Sequence, residues 1–595
     1  MNKKQISLLV AFIASLLAAN LVQAAEPYEL VIEHGVEAKM RDGVVLRADI
    51  YRPKADGQFP VLLERTPYDK NNNWGSIQLA NKAVPNGYVV IVQDVRGRYT
   101  SDGDWYPFLH ESDDGYDTVE WAARLPYCNG KVGMFGGSYV GATQMLTAIA
   151  HPPHLAGIHP GITASNYHDG WTYQGGAFEQ WFNESWTSGL AEDTLRRTIS
   201  KTNNAMMGVN QLPLAYYPLF NFSVASSSQM TNSLAPYFLD WLAHPNYDDY
   251  WKRWSIEEHF SEINVPALTE TAWYDIFLGG SLRNYMGIKA HGGSDLARQG
   301  QKLYIAIGGH AGGGRKVGDV DFGPNAELQD KDITLAWYDY LFKGVQNEFA
   351  NRKPVVIFVM GANVWREQDD WPVPQARSTK YFLHSAGSAN AAKGNGTLSA
   401  AAPASEPFDR YVYNPVEPVP TVGGPLCCDS THLPPGPRDQ RTVELRDDVL
   451  IYSTPVLDQD VEVTGPVSLE LYAKSSAVDT DFTAKLVDVG PDGFAQNLTE
   501  GIVRARYRDG QDKPDLLKPG QTYKFNIDMW ATSNVFRKGH ILRLEVSSSN
   551  FPRFDRNLNN GENPEFARKY MSATNTIYHD AEHPSALQLP VMPGH

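Results

Sequence analysis

The sequence predicts an α/β protein in which a mostly parallel sheet carries a helical insertion and is followed by a β-rich domain. Up to about residue 150, short apolar runs alternate with helix-forming segments, and the alternation resumes after residue 262. Such alternation is typical of a parallel sheet with helices on both faces. From about residue 441, short β-type runs are separated by turns rich in proline and glycine, which predicts an antiparallel sandwich or jelly roll.

Size and charge set limits on this protein. A chain of 595 residues exceeds the size at which one hydrophobic core keeps growing, so several domains are expected. Its 42% hydrophobic and 20% charged residues are typical of a globular protein. The formal net charge of −16 provides no basic field to hold phosphates, so nucleic acid and anionic membranes are not expected as partners.

Residues 1–25 are predicted to be a signal peptide. Lys3 and Lys4 precede an apolar run over residues 6–22, and small residues ending at Ala25 offer a cleavage site. We therefore expect an exported protein, periplasmic or secreted, with no membrane attachment after signal removal. A retained anchor is the alternative, because the apolar run is only slightly short for a membrane span.

The predicted core comprises residues 26–164 and 263–352. Its apolar runs have the length of buried strands and are bounded by turn residues. The predicted strands are 44–51, 59–64, 88–93, 131–135, 267–274 and 303–307, and the predicted helices are 115–125 and 333–342.

Residues 165–262 are predicted to form a helical cap over the core. The insertion is rich in aromatic residues set among helix-forming and polar ones, among them Trp171, Trp181 and Trp186. Most of these rings are expected to fill the interior of the cap itself. Two or three that face the cleft would suffice to form an aromatic or acyl pocket.

Residues 353–595 are predicted to contain a linker and the β-rich domain. Residues 387–440 are rich in Ala, Ser, Gly and Pro, which is typical of a long surface connection. The predicted strands that follow are 463–472, 482–489, 501–507, 523–529 and 540–547.

A serine follows the predicted strand 131–135. The sequence KVGMFGGSYVGAT brings Ser138 to a sharp strand-to-helix turn, where the small Gly136 relieves crowding and the hydroxyl projects above the sheet. The usual nucleophile pattern has glycine two residues after the serine, whereas here that position is Val140 and the glycine is Gly141. The segment alone therefore leaves open a nucleophile or an ordinary glycine-rich loop.

A serine hydroxyl needs a base, and the base needs an orienting acid. In a hydrolase of this architecture the chain order is Ser, acid, His, each at the carboxyl end of a strand. Asp275 directly follows the strand 267–274, and His310 follows the strand 303–307 within a glycine-rich loop. These two residues are the predicted acid and base for Ser138.

A tetrahedral intermediate also needs donors for its oxyanion. The backbone N–H of Tyr139, the residue after the nucleophile, is the first candidate. The loop after strand 59–64 contains no glycine run, but Tyr68 offers a phenolic O–H. The alternative for Tyr68 is a packing role at a domain surface.

Several long motifs of the chain resemble one family. They are RTPYDK at 65–70, DVRGRYTSDGDWYPF at 94–108, DGYDTVEWAARLPYCNGKVGMFGGSYVG at 114–141, WYDIFLGGSLRNY at 273–285, GDVDFGP at 318–324, GPRDQR at 436–441 and SSSNFPRFDRNLNNGE at 547–562. The chain is similar over essentially its whole mature length to the family of cocaine esterase and X-Pro dipeptidyl-peptidase. These are serine hydrolases with an α/β-hydrolase core, a helical cap and a C-terminal jelly roll.

The resemblance assigns roles to residues. It implies that Ser138 is the nucleophile, Asp275 the acid and His310 the base, and that Tyr68 O–H and the Tyr139 amide form the oxyanion hole. Gly-x-Ser-Tyr-x-Gly is the serine motif of this family, so the valine at position 140 no longer counts against a nucleophile.

One departure from the family bears on the substrate. Relatives that hydrolyse α-amino-acid esters carry carboxylates immediately after the triad aspartate, whereas here Ile276, Phe277 and Leu278 follow it. Those carboxylates hold the substrate ammonium group, and the alternatives for this role in the cap are Glu179, Glu184 and Asp193. Phe277 matches an acyl-pocket position of cocaine esterase-like members and, with Trp171 and Trp181, suggests an apolar or aromatic acyl group.

The resulting expectation is an exported serine hydrolase of small-molecule esters or amides that requires no metal or organic cofactor. The alternatives are an X-Pro dipeptidyl-peptidase, an α-amino-acid ester hydrolase or, more remotely, a non-catalytic binding protein that uses its β-rich domain. The formation of a homo-oligomer is left open.

Cysteines and a polar loop complete the expectations. Cys128, Cys427 and Cys428 are too few for a disulfide framework, and adjacent cysteines rarely bond to each other.

The loop 555–566 resembles a calcium site in part, but it ends on Phe566 instead of glutamate, so an Asx-rich turn without metal is expected.

Overall fold

The computed structural model describes residues 27–202, 234–310, 312–327, 332–564 and 566–594. The predicted signal peptide lies outside the described residues, as do residues 203–233 of the predicted cap. No helix among the described residues combines the length and apolar character that crossing a membrane requires.

A mixed sheet forms the core of the N-terminal half. Its main strands are β1 (Leu30–Lys39), β2 (Val45–Pro53), β3 (Phe59–Thr66), β4 (Val89–Asp94), β5 (Cys128–Gly137), β6 (Leu155–Gly161), β9 (Leu268–Tyr274), β10 (Lys302–Gly309), β14 (Val355–Val359) and β15 (Val364–Gln368). The order across the sheet is β1-β2-β4-β3-β5-β6-β9-β10-β14-β15, parallel from β4 to β14 and antiparallel at both edges.

Helices cover both faces of this sheet. They are α1 (Trp74–Ala83), α2 (Glu111–Ala123), α3 (Tyr139–Ile149), α7 (Leu278–His291), α8 (Asp295–Gln299), α9 (Ile333–Lys343) and α10 (Glu348–Asn351). Adjacent residues of one strand belong to different cores: Leu62 packs with residues of α1 and α9, and Leu63 with residues of α2 and α3. The near-continuous apolar strands follow from burial on both faces, as the sequence predicts.

In its described residues, the insertion between β6 and β9 is mainly helical. It contains the hairpin β7 (Tyr173–Gln174) and β8 (Ala177–Phe178) and the helices α4 (Gln180–Thr202), α5 (Pro236–Ala243) and α6 (Asp249–Lys252). Large aromatic side chains, including Trp171, Trp241 and Trp251, are fully buried within it. After β10 come three two-residue strands, β11 (Gly312–Gly313), β12 (Lys316–Val317) and β13 (Val320–Asp321).

A second large sheet builds the C-terminal part. Its strands are β16 (Arg377–His384), β17 (Thr397–Ser399), β18 (Asp409–Tyr413), β19 (Leu450–Ser453), β20 (Val461–Ser475), β21 (Asp481–Val489), β22 (Ala495–Arg504), β23 (Tyr523–Phe536), β24 (Ile541–Ser547), β25 (Ala573–Tyr578) and β26 (Ala586–Val591). Pairing is antiparallel throughout the sheet except between β17 and β19.

The structure differs from the expected domain borders in two places. The first sheet continues through β14 and β15, beyond residue 352, because these strands pair with β10 and with each other. Residues 387–440, expected to be a surface connection, contain β17 and β18 and bury Tyr411 and Leu426. The alternating pattern of β18 is short and lies among prolines and glycines, so the composition of this segment does not indicate a strand.

The cap and the C-terminal domain touch through their backbones. The Arg504 N–H donates to the Gly175 carbonyl at 2.8 Å, and the Trp181 N–H donates to the Pro552 carbonyl at 3.0 Å. A Cβ at Gly175 would lie 2.0 Å from the Ile502 carbonyl oxygen, so only glycine permits this approach. Asp555, at the start of the calcium-like loop, accepts from the Phe178 N–H of the cap.

Cys427 and Cys428 form a disulfide, contrary to the expectation for adjacent cysteines. Cys428 adopts a φ of 77°, a left-handed backbone conformation that is uncommon outside glycine and that turns the chain between the two residues. Cys427 is buried in the hydrophobic cluster that also contains Trp171 and Phe277. Cys128 is a buried free thiol.

Candidate active site

Ser138 lies at the sharp turn between β5 and α3. Its backbone adopts φ 61° and ψ −129°, a combination that non-glycine residues rarely show and that is typical of a strained strand-to-helix turn. Its N–H donates to the Gly161 carbonyl at 3.0 Å, and its carbonyl accepts from the Gly141 N–H at 2.9 Å. These hydrogen bonds fix the turn between the sheet and the first turn of the helix.

Glycine is required on both sides of this turn. A Cβ at Gly141 would lie 2.8 Å from both the Gly161 carbonyl oxygen and Thr163 Cβ. A Cβ at Gly136 would lie 2.4 Å from a Val140 methyl group. The Val140 side chain thus occupies space that Gly136 leaves free, which explains why valine is tolerated two residues after the serine.

Three distant residues meet at the carboxyl ends of the strands. His310 Nε2 lies 2.8 Å from Ser138 Oγ, and His310 Nδ1 lies 2.8 Å from Asp275 Oδ2. The Asp275 side chain is fully buried and also accepts from the Phe277 N–H at 2.6 Å. In the tautomer that carries its hydrogen on Nδ1, the imidazole donates a hydrogen bond to the Asp275 carboxylate and Nε2 is free to accept from the serine hydroxyl.

Tyr68 lies beside Ser138 on the loop after β3. Burial of its hydroxyl raises the pKa of Tyr68, although hydrogen bonds with Trp186, the Ser138 side chain and the Tyr139 amide act in the opposite direction. The residue as a whole is 38% exposed, while its hydroxyl is buried beside the Ser138 side chain and the Tyr139 amide. A protonated phenol and a backbone N–H therefore lie close together next to Ser138.

Aromatic rings line the other side of the His310 imidazole. The Phe277 ring lies 5.2 Å from the His310 ring and stacks on Trp171 at 4.5 Å. Phe182 and Trp186 join this cluster, with their ring centroids 5.4 Å and 5.6 Å from that of Trp171.

Trp181 does not belong to this aromatic cluster. It has no ring–ring contact among the described residues, and its backbone is bonded to the C-terminal domain. Phe182 and Trp186 are spaced four residues apart on α4 and share a face, a periodicity that was available in the sequence. The sequence does not show which face of this helix meets the site.

The cap carboxylates considered for an ammonium group already have partners. Glu179 lies 3.5 Å from Arg553, and Asp193 accepts from the Tyr99 N–H at 3.0 Å. Glu184 accepts from the Gln180 side chain at 3.0 Å. Burial raises the pKa of both Glu179 and Glu184 to about 7.

A cavity of about 700 Å³ lies next to the cluster of Ser138, His310 and Asp275. Tyr68 lines it together with Gly137, Val140 and Gly309, which lie within two residues of Ser138 or His310 in the chain. Its wall also contains polar side chains: Glu64, Gln78, His159, Glu270, Thr271 and Thr334. In the described part of the chain, no three His, Cys, Asp or Glu residues are arranged to hold a metal ion.

The parallel sheet with a serine at this turn defines a serine hydrolase. Residues 42–312 match the family described as X-Pro dipeptidyl-peptidase (S15 family), and residues 347–588 match the X-Pro dipeptidyl-peptidase C-terminal non-catalytic domain. Cocaine esterase from Rhodococcus sp. (strain MB1 Bresler) is 38% identical over 585 residues, covering 94% of this chain and 98% of that protein. The chain belongs to the family of cocaine esterase and the S15 X-Pro dipeptidyl-peptidases.

Solved structures agree over nearly the whole chain. An aminopeptidase from a marine sediment archaeon, Thaumarchaeota archaeon, has a TM-score of 0.80 at 26% identity and covers 95% of this chain and 97% of its own. An α-amino acid ester hydrolase has a TM-score of 0.76 at 25% identity, with 96% and 99% covered. These matches confirm the predicted α/β-hydrolase fold with a C-terminal β-rich domain.

Proposed function

We propose that this chain hydrolyses esters of small molecules with an apolar or aromatic acyl group, through an acyl-enzyme on Ser138. The observation that carries the proposal is the continuous hydrogen-bonded series from Ser138 through His310 to Asp275, with 2.8 Å at each step. Nucleophile, base and orienting acid stand in the order that activation of a serine requires.

In the first half of the reaction His310 Nε2 takes the proton of Ser138 as Oγ attacks the substrate carbonyl carbon. The carbonyl oxygen becomes an oxyanion and receives hydrogen bonds from Tyr68 O–H and the Tyr139 amide. Asp275 holds the imidazole in position and stabilises the imidazolium that forms.

The tetrahedral intermediate then collapses, which completes acylation of the serine. The bond from carbon to the alcohol oxygen breaks, and the proton on His310 passes to the leaving alcohol. Water then donates a proton to His310 and attacks the acyl-enzyme, and the acid leaves as Ser138 regains its proton. The cavity beside Tyr68 and Gly309 offers room for the alcohol.

Phe277 and Trp171 support an apolar acyl group. Both are fully buried, and their stacked rings stand next to the His310 imidazole. An aromatic or apolar acyl group gains from burial against such rings, whereas a charged one loses its hydration there.

The direct test is Ser138→Ala. The variant should fold as the wild type does and lose about 10⁵–10⁶-fold in kcat towards p-nitrophenyl esters of aromatic acids, because no nucleophile remains. Unchanged ester turnover in the purified variant, with wild-type circular dichroism, would refute the assignment of the nucleophile.

A second candidate is the release of Xaa-Pro dipeptides or hydrolysis of α-amino-acid esters. Family membership favours it, since an aminopeptidase and an α-amino acid ester hydrolase share the fold. The residues after Asp275 and the partners of Glu179 and Asp193 count against a site for a free ammonium group. An Ala-Pro p-nitroanilide and a p-nitrophenyl ester compared side by side separate the two, and faster turnover of the amide would favour the peptidase.

We propose in addition that the protein is exported and that residues 1–25 are removed. Two lysines before an apolar run and small residues ending at Ala25 support this. Mass spectrometry of the protein from cell fractions should find a chain that begins near Ala25 in the periplasm or medium. A full-length chain in the cytoplasm would exclude the proposal.

A further inference from the structure

We infer that Trp186 is a positioning residue for Tyr68, so that a helix of the cap completes the oxyanion hole of the core. The inference rests on the proposed function, because it concerns how the same reaction is served. The observation behind it is a hydrogen bond of 2.9 Å from Trp186 Nε1 to the Tyr68 hydroxyl oxygen.

The direction of this hydrogen bond decides its effect. An indole nitrogen only donates, whereas a phenol has one hydrogen to give and lone pairs to receive. With Trp186 donating to its oxygen, the Tyr68 hydroxyl is left with its single hydrogen for another acceptor. That hydrogen is available to an oxyanion that forms beside Ser138, and a donor on the oxygen also polarises the O–H bond.

Trp186 touches the second oxyanion donor as well. Its ring stacks on that of Tyr139 with centroids 5.9 Å apart and an interplanar angle of 27°. Trp186 is 5% exposed, and its ring also contacts those of Trp171 and Trp241. One rigid indole therefore contacts both residues that donate to the oxyanion.

A second link joins the cap helix to the loop that carries Tyr68. Arg98 is fully buried, and its guanidinium donates to the Pro67 carbonyl at 3.0 Å and to the Leu190 carbonyl of α4 at 2.9 Å. Asp193 of the same helix lies 3.6 Å from this guanidinium. The backbone before Tyr68 is thus fixed by α4 through Arg98, and the hydroxyl of Tyr68 by α4 through Trp186.

The test is a double-mutant cycle of Trp186→Phe and Tyr68→Phe. Phenylalanine keeps an aromatic ring at position 186 but removes the N–H. We expect Trp186→Phe to lower kcat about 5- to 10-fold with KM changed less than 2-fold, as expected for the loss of one hydrogen bond. In the Tyr68→Phe background the same change should alter kcat less than 2-fold, because the hydroxyl it orients is absent.

Trp241→Phe is the matched control. This substitution removes an indole that stacks on Trp186, with ring centroids 6.1 Å apart. The Trp241 indole has no hydrogen bond to Tyr68 in the described part of the chain. The substitution should leave kcat within 2-fold of the wild type. Equal losses of kcat from Trp186→Phe in both backgrounds, or an effect on KM alone, would overturn the inference and leave Trp186 a packing residue.

A fluorophosphonate probe repeats the cycle without a substrate. Ser138 Oγ forms the bond to phosphorus as fluoride leaves and the proton goes to His310, and the phosphoryl oxygen takes the place of the oxyanion. Trp186→Phe should slow labelling only where Tyr68 is present. If the wild type is labelled by the probe but hydrolyses no ester, the proposed substrate is contradicted and the labelling rates of the four variants still test the role of Trp186. If the wild type reacts with neither the probe nor the ester, both the proposed substrate and the positioning role are contradicted.

Discussion

Ser138 is the residue on which the proposed chemistry converges, and its setting is built from close backbone approaches. The turn at φ 61° is tolerated because Gly136 and Gly141 let neighbouring atoms approach within distances that a Cβ would forbid. The imidazole of His310 then reaches the hydroxyl from a different strand end. Reactivity thus depends on residues that contribute no chemistry of their own.

Tyr68→Phe tests the oxyanion hole at the residue scale. Removing the phenolic O–H leaves the Tyr139 amide as the proposed remaining donor, so kcat should fall about 10²–10³-fold while KM changes little. The measurement is steady-state ester hydrolysis with the concentration of active sites determined by titration. An unchanged kcat would show that a different group stabilises the intermediate.

The sequence predicts those site residues that directly follow the ends of strands. It does not predict the aromatic residues of the cap, whose place at the site is decided by packing. Ser138, Asp275 and His310 could be selected by chain order, since parallel strands end at the same edge of the sheet. Residue type alone predicts Trp181 as a pocket residue of the cap, whereas Phe182 and Trp186 are the rings that meet Trp171. The rotation of α4 about its axis depends on contacts with β3 and β9 loops that are far away in the chain.

At the scale of elements, strand β3 and helix α1 are tied together by a buried carboxyl group. Glu64, at 4% exposure near the end of β3, accepts hydrogen bonds from the Asn73 and Ser76 side chains at the start of α1. Burial raises the pKa of Glu64 to about 7. The loop between these two elements carries Tyr68, so the junction also supports the candidate site.

Glu64→Gln should change how stability depends on pH. The folded wild type keeps a proton on Glu64 that the unfolded chain releases above its ordinary pKa of 4.5. Stability is therefore lost as pH rises from 4.5 through about 7, by at most about 3.5 kcal/mol. Glutamine does not titrate, so the variant should lose less stability over this range, as measured by thermal unfolding at a series of pH values.

The exposed Glu37→Gln is the matched control, because the Glu37 side chain is 65% exposed in its pair with Arg47. Its profile should follow the wild type. Parallel profiles for Glu64→Gln and the wild type would contradict a buried protonated carboxyl at this junction.

Long apolar runs make the elements of the core predictable, and irregular segments are less so. Strands such as β4 and β9 are buried on both faces, and the helix predicted over 333–342 is found as Ile333–Lys343. The segment 387–440 is different, since its composition indicates a surface connection while its fold buries Tyr411 and Leu426. Burial there is decided by the sheet it joins, which composition does not reveal.

At the scale of the whole molecule, a buried arginine joins the cap to the C-terminal domain. Arg553 is fully buried and pairs with Glu500 of the C-terminal sheet. It also donates to the Gln174 side chain at 2.8 Å and lies 3.5 Å from Glu179, both in the cap. The cap and the C-terminal domain therefore share one buried polar network.

Arg553→Met should destabilise the protein strongly. Methionine fills much of the volume but leaves Glu179 without its cation and Glu500 with only Lys485, 4.0 Å away. Breaking a buried pair in this way costs about 3–5 kcal/mol. We expect a clear fall in the midpoint of thermal unfolding. Lys353→Met is the control, because its pair with Asp369 has side chains 49% and 58% exposed, and its loss should cost about 1 kcal/mol or less. Equal midpoints for the two variants would contradict the structural role of Arg553.

The central claim is that a hydroxyl on Ser138 is the nucleophile, activated by His310. Peptide mapping by mass spectrometry after reaction with a fluorophosphonate tests it most directly. The account predicts a single adduct on the peptide that contains Ser138, absent in Ser138→Ala and formed far more slowly in His310→Ala. An adduct on a different serine, or no adduct on the folded wild-type protein, would contradict it and would favour a binding protein without catalysis.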